Sequence, residues 1–299
     1  MSGVIIIINP ASGPRRRGTG SERADIATRT LARLGAKGHV RLTERSGHAH
    51  ELAQEAAASH ADLVIAWGGD GTINEVGRAL VQRGDGGAPT PALGIIPGGS
   101  GNGLARELHI PFDPASAIER AVRSKPRLID AGEIGDRVFF NVAGIGIDAH
   151  VAALVSTRVH HRGLLPYLSA SGGDLLRYQP VEYTVGIDGR ATQTSALVLA
   201  FANSKQWGFG AEIAPGADLE DGLLDFVVVH QRGVFGNMIR VPSLFMGRID
   251  RCQGIDTHRV REVTIRSREA MLFHVDGEAV QGSDTLVARV HPRALRLSA

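Results

Sequence analysis

The first third of the chain alternates short apolar runs with longer stretches in which apolar residues recur every three or four positions. Val4–Ile8, Val40–Leu42, Leu63–Trp67 and Leu93–Ile96 have the length and continuity of buried strands, whereas Glu22–Leu34, Ala49–Ser59, Thr72–Gln82 and Ser116–Arg123 carry helical spacing. Strands that alternate with helices predict a parallel sheet covered on both faces, a doubly wound α/β domain whose ligands collect beyond the carboxyl ends of the strands. Glycine-rich segments follow three of these strands directly, at Asn9–Gly13, Gly68–Thr72 and Gly98–Gly103, so all three are expected on one rim.

After Ser124 the pattern changes. Leu128–Ile134 and Val138–Val142 read as strands, and Ala149–Thr157 and Leu164–Leu176 as helices. Beyond Gln179 strands dominate, at Val181–Ile187, Thr192–Phe201, Leu223–Val229, Val260–Ser267, Ala270–Val275, Thr285–Val290 and Ala294–Leu297, with one helix at Val234–Met246. Many strands joined by Gly and Asp turns predict a β-sandwich. The expected division is an α/β domain over residues 1–125 and a sandwich domain over 126–299, with a return of the chain end to the first sheet left open.

Composition narrows the functional classes. At 299 residues and 43% hydrophobic, the chain can bury two cores. The net charge is +2 and the basic residues are scattered among 5% aromatics, without the basic stripe interleaved with aromatics that marks a nucleic-acid binder. Cys252 is the single cysteine, which excludes an intramolecular disulfide and a thiolate metal cluster and reads as a reducing compartment. No apolar stretch approaches the ~18 residues needed to span a bilayer. Val4–Ile8 is too short for the core of a signal peptide and has no basic flank, so the expected location is cytoplasmic, peripheral at most on the inner membrane surface. The oligomeric state is open, a homodimer included.

Three segments carry candidate chemistry. In Gly68-Gly69-Asp70-Gly71-Thr72, glycines let the backbone approach phosphate oxygens, and a helix beginning near Thr72 aims free N–H groups and a positive dipole end at them. Asp70 repels phosphate, so its carboxylate is better used through Mg²⁺. The competing reading is a plain strand-to-helix turn with an Asp or Thr cap. Gly98–Gly103 has the same context, and a backbone nest with the Ser100 hydroxyl suits a phosphate or ribose. Asn9–Gly13 is the weakest signal, because Asn-Pro starts turns in many loops that bind nothing. The run Arg15–Arg17 reads as a solvated face ahead of a phosphate clamp, and His48, His150 and His274 as hydrogen-bonded histidines ahead of catalysts.

Taken together these segments resemble the diacylglycerol kinase catalytic family, which includes bacterial lipid kinases, sphingosine kinases and ceramide kinases, and the resemblance runs over essentially the whole chain. Asn9, Pro10, Ala11, Ser12 and Gly13 look like the family's first nucleotide loop; Gly68, Gly69, Asp70, Gly71, Thr72, Ile73, Asn74 and Glu75 look like its signature. Gly98–Ala105, with Gly99, Ser100 and Asn102, looks like its third loop, and Thr43 matches the threonine that ends its second strand and contacts ATP. The resemblance implies an α/β domain like those of NAD kinases and phosphofructokinases, and a sandwich that supplies lipid-binding surface and part of the active site. It implies ATP and Mg²⁺, with Asp70 orienting the metal, and transfer of the γ-phosphate to a hydroxyl of a lipid such as diacylglycerol at a membrane surface.

Two acidic turns join the site only through the resemblance, since from the residues alone both read as hairpin turns. Val275-Asp276-Gly277-Glu278 looks like the motif whose acidic residues take the proton from the substrate hydroxyl, with Asp276 and Glu278 both candidates. Asp218–Asp225 looks like the segment that holds a structural Mg²⁺, implying a carboxylate from Asp221 and backbone carbonyls from Asp218 and Leu223. The third loop departs from many bacterial members, with Ser100 in place of Thr and Gly103 in place of Asp, and Pro97–Ala105 looks closer to sphingosine kinases. A sphingoid base is therefore an alternative acceptor, and a soluble metabolite such as NAD a further one. A non-catalytic nucleotide- or lipid-binding regulator is the reading from another class; intact Asp70 and Glu278 oppose it.

Overall fold

The computed structural model describes residues 3–13, 19–82, 90–158 and 178–299. Arg15–Arg17 and the expected helix Leu164–Leu176 lie outside the described residues. The chain divides into two compact units, one of Met1–Ile129 with Arg293–Ala299, the other of Asp130–Pro292.

In the first unit the strands are β1 (Val4–Ile8), β2 (Gly38–Leu42), β3 (Leu63–Gly68) and β4 (Ala92–Pro97), and the helices are α1 (Gly20–Arg33), α2 (His48–Ala58), α3 (Asp70–Leu80), α4 (Gly103–Glu107) and α5 (Pro114–Arg123). The strands are parallel in the order β2-β1-β3-β4. β3 and β4 are buried at every position, as strands covered on both faces must be. α1 packs with α5, and α2 with α3. Right-handed crossovers explain the pairing: the chain leaves β1 in one direction through α1, then runs the other way through α2 and α3, which places those two helices on the opposite face. The strand order therefore reverses between β1 and β3, and the helices that follow these strands lie on opposite faces. That reversal opens the crevice in which doubly wound sheets bind ligands. α1 begins with a capping box, Thr19 accepting from the Glu22 N–H while the Glu22 carboxylate accepts from the Thr19 N–H.

The second unit is built from antiparallel strands. β5 (Arg127–Ile134) pairs with β6 (Arg137–Phe139), and β7 (Val142–Gly146) leads into α6 (Ile147–Arg158). The strands β8 (Val181–Ile187), β9 (Arg190–Ala196), β10 (Val198–Ala202), β11 (Gln206–Gly208), β12 (Ala211–Glu212) and β13 (Leu224–Val229) precede helix α7 (Gly233–Phe245). They are followed by β14 (Ile255–Val260), β15 (Glu262–Arg266), β16 (Leu272–Val275), β17 (Glu278–Gln281) and β18 (Thr285–Leu297). One sheet has the order β14-β13-β10-β7-β16-β17, and a second contains β18-β15-β8-β9 with β5 and β6. Residues from both sheets, among them Phe139, Ile145, Tyr183, Phe201, Phe226, Val263 and Phe273, meet in one buried cluster. This is the sandwich expected from the turn-rich strands. β18 serves both units: Thr285–Arg289 pair with β15, and Leu297 pairs with Leu93 of β4.

Four expected strands divide differently. The single strand Val138–Val142 is two, because Phe140 and Asn141 donate their N–H groups to the Asp276 carboxylate instead of to a neighbouring strand. Thr192–Phe201 is also two, β9 and β10, which belong to different sheets. Conversely, Thr285–Val290 and Ala294–Leu297 are one strand that continues through Pro292.

Phe201 and Phe226 stack with ring centroids 5.2 Å apart, and both are shut off from solvent. Phe226→Ala is expected to cost about 3–5 kcal/mol of unfolding free energy by urea titration, the range for an aromatic deleted from a packed core.

Candidate active site

The three glycine loops of the first unit touch one another. Asn9 closes its own turn by accepting the Ala11 N–H on Oδ1 at 2.9 Å, and its Nδ2 donates to Thr72 Oγ1 at 3.0 Å, tying the first loop to the second. The Gly98 N–H donates to the Gly68 carbonyl at 2.7 Å, tying the second to the third. At Gly69 and Gly99 the backbones approach so closely that a Cβ on Gly99 would lie 2.5 Å from the Gly69 Cα. Only glycine fits there.

Asp70 is the hub of this contact. Its Oδ2 accepts from the Asn102 N–H at 2.8 Å and its Oδ1 from the Gly103 N–H at 2.7 Å, so the carboxylate sits at the start of α4. Asn102 takes a left-handed backbone (φ 53°), and its amide closes on Gly99, accepting that N–H and donating to that carbonyl, each at 2.8 Å. The negative charge of Asp70 is thus balanced by two backbone dipoles. Asp70, Gly71 and Thr72 form the first turn of α3, where backbone N–H groups have no helical acceptor.

The expected nucleotide residues sort by what they touch. Ser12, Thr43, Thr72, Ile73, Asn74 and Asn102 are buried, and their side chains build the loops. Thr43 ends β2, its N–H on the Ile8 carbonyl. Glu75 lies against the start of α2, its carboxylate accepting from the Gly47 and Ala49 N–H groups at 3.0 and 3.2 Å. Pro10, Ala11, Gly71 and Ser100 are exposed, with Gly13, Gly68, Gly69 and Gly99 supplying backbone. A ligand on this rim would meet backbone N–H groups and the Ser100 hydroxyl before any buried side chain.

Arg23 was not singled out by the sequence. It is 1% exposed, and its guanidinium donates to the carbonyls of Asn9 and Ser12 and to Ser12 Oγ at 2.8–3.1 Å while lying over the Trp67 ring. It holds the first loop from beneath. An arginine on the buried face of α1, in line with Ala27, Thr30 and Leu31, interrupts the apolar period instead of joining it, so only the fold reveals this role.

In the second unit, Asp276 and Gly277 form the two-residue turn between β16 and β17, both with positive φ (48° and 86°). The Asp276 carboxylate accepts from the N–H groups of Phe140, Asn141 and Val142 at 2.9–3.3 Å. Glu278 is exposed, and no side-chain hydrogen bond of its own is found among the described residues. His274, two residues before Asp276, is buried with its Nε2 3.0 Å from Asp148 Oδ2. His48 and His150 are likewise hydrogen-bonded, to the Glu44 N–H and the Gly146 carbonyl.

The second acidic turn is a compact set of oxygens. Asp218 accepts from the Glu220 N–H, Asp221 from the Leu223 N–H, and Asp130 from the Gly222 N–H. Burial pushes the Asp225 carboxyl up; Arg259 opposes this and the charge of Asp221 adds to it. The donor chemistry suits a hard cation. Among the described residues no three His, Cys, Asp or Glu side chains converge as a metal cage, so a cation at Asp218, Asp221 and Leu223 would draw on backbone carbonyls as well. It would also compete with Arg259, whose guanidinium is paired with Asp221.

Comparison with known proteins agrees with this arrangement. Residues 3–134 match the family described as the diacylglycerol kinase catalytic domain, and residues 141–299 the one described as the YegS C-terminal NAD kinase beta sandwich-like domain. A protein of Chromohalobacter salexigens named "Probable lipid kinase YegS-like" is 31% identical over 275 residues, 90% of this chain and 87% of the relative. A Bacillus subtilis protein named "Diacylglycerol kinase" is 29% identical over 276 residues, 91% of this chain and 88% of its own. The fold superposes on a crystal structure of a diacylglycerol kinase from Bacillus anthracis with a TM-score of 0.75 at 20% identity, covering 99% of this chain and 96% of that one. The chain belongs to the family of YegS-like and diacylglycerol kinase-like lipid kinases. Among the described residues no helix is long and apolar enough to cross a membrane.

The geometry makes Asp70 a structural hub whatever else it does. In Asp70→Asn the amide can accept only one of the two N–H groups that the carboxylate accepts now. A loss of about 1–3 kcal/mol is expected by urea unfolding, as for a hydrogen bond to a charged group whose donor is left without an acceptor.

Proposed function

We propose that the chain is an ATP- and Mg²⁺-dependent kinase that transfers the γ-phosphate to a hydroxyl of a lipid such as diacylglycerol. The observation that carries this reading is the convergence of three glycine loops at the point where the sheet order reverses, locked by Asp70 and fronted by the first turn of α3. Phosphoryl transfer asks a protein mainly for positioning and for stabilisation of charge. Backbone N–H groups of the loops and the Ser100 hydroxyl hold the phosphates. Asp70, fixed by two N–H donors, orients Mg²⁺.

Of the two acidic candidates in the hairpin, Glu278 is the proton acceptor and Asp276 the residue that fixes the turn. Support comes from their different surroundings: Asp276 spends its carboxylate on three backbone N–H groups, whereas Glu278 is exposed. Glu278→Gln should lower the transfer rate by about 10²–10⁴-fold, the usual cost of losing a general base, with melting temperature and ATP affinity unchanged. Asp276→Asn should lower the melting temperature as well. Equal rates for Glu278→Gln and wild type would place the base elsewhere.

Mg²⁺ at the second acidic turn is part of the same proposal. Asp221→Ala should raise the Mg²⁺ concentration needed for half-maximal activity; an unchanged requirement would leave the turn a hairpin paired with Arg259.

Transfer of label from γ-labelled ATP to a panel of diacylglycerol, phosphatidylglycerol and a sphingoid base in mixed micelles, with NAD in the same set, tests the reading as a whole. An acylated alcohol should be the best acceptor, and chelation of Mg²⁺ should abolish transfer. Faster phosphorylation of NAD than of every lipid would overturn the lipid assignment, and the absence of transfer to any acceptor would favour a regulator.

A further inference from the structure

Among its described side chains, helix α7 is turned inside out. Its inward side carries Asn237 and Arg240, 8% and 6% exposed, with Leu244 partly buried on the same face. Its outward side carries Ile239 and Met246, 76% and 66% exposed, with Pro242 between them and Phe245 and Val241 exposed on its flank. Positions 239, 242 and 246 fall on one face at helical spacing, and 237, 240 and 244 on the opposite one. A surface helix ordinarily does the reverse and buries its apolar stripe.

Arg240 sets this rotation. Its guanidinium donates to the carbonyl of His230 at 2.8 Å and to that of Gln253 at 2.7 Å, while Asn237 Oδ1 accepts from the Arg232 N–H at 3.3 Å. Rolling the helix to bury Ile239 would break these bonds and strand carbonyls that Arg240 now satisfies. The apolar face is thus held in solvent by a specific polar anchor. Two exposed arginines, Arg248 and Arg251, follow it, with Asp250 the one exposed acid between them, while Arg232 at its start bonds Gln253 on the anchored side.

We infer that α7 is the element by which the protein rests on an anionic membrane surface, with Ile239, Pro242, Phe245 and Met246 entering the interfacial layer and Arg248 and Arg251 facing lipid phosphates. An apolar face rimmed by arginine is the pattern of helices that lie in the plane of such an interface. The inference rests on the lipid-kinase reading for its purpose, and its test is independent of catalysis.

The full chain is sedimented with phosphatidylcholine vesicles, with and without phosphatidylglycerol, in the absence of ATP. Wild type should bind the anionic vesicles, and the Ile239→Ser/Met246→Ser variant should bind them at least about tenfold more weakly, in line with the loss of two apolar side chains from the interface. Arg248→Ala/Arg251→Ala should lose the preference for anionic over neutral vesicles. Circular dichroism and melting temperature should match wild type in both, and so should phosphorylation of a micellar lipid. Equal vesicle binding by wild type and the Ile239→Ser/Met246→Ser variant, or no binding by either, would overturn the assignment. So would a concentration-dependent dimer, seen by analytical ultracentrifugation, that this variant abolishes, since the face would then belong to a second copy. Failure of the kinase reading would appear instead as vesicle binding without transfer to any lipid.

Discussion

The carboxylate of Asp70 is the interaction on which the first unit's rim depends. It stands on the first turn of α3 and accepts the two N–H groups that open α4, so one side chain fixes the third loop against the second. The contact must be this short because the loops meet through glycine backbone at Gly69 and Gly99, where no side chain is available to fill a gap. A charged acceptor with two donors tolerates little slack. From below, Arg23 does for the first loop what Asp70 does for the third. Anchored from both sides, the backbone between them is held in place.

The second unit repeats the device. Asp276 collects three backbone N–H groups from the Phe140–Val142 segment, which both interrupts the strand there and sets the turn that presents Glu278. In each unit one carboxylate is committed to the backbone so that a neighbouring group is held in place. This division separates acidic residues that the motif alone leaves equivalent. The buried His274–Asp148 pair beside the turn joins β16 to α6.

Much of the fold was legible in the sequence because its strands are either fully buried or bounded by strong turn residues. β1 and β8 occupy the spans expected from their apolar runs, and the parallel core follows from alternation of strand and helix. The failures have local causes. β14 (Ile255–Val260) escaped notice because only its two end residues are buried, leaving no alternation to detect. The split at residues 140 and 141 depends on a carboxylate more than a hundred positions away in sequence. Helix α7 was expected near its true span, but its orientation was not, since periodicity gives the existence of an apolar face and not the direction in which it points. Glycine loops announced themselves; Arg23, the residue beneath one of them, did not.

The central claim is that the three loops form one nucleotide site, and amide hydrogen exchange on the full chain with and without Mg²⁺–ATP tests it most directly. The account predicts that nucleotide slows exchange together at residues 9–13, 68–72 and 98–103, in the same concentration range. Protection confined to one loop, or absent from all three while phosphate transfer proceeds, would contradict it.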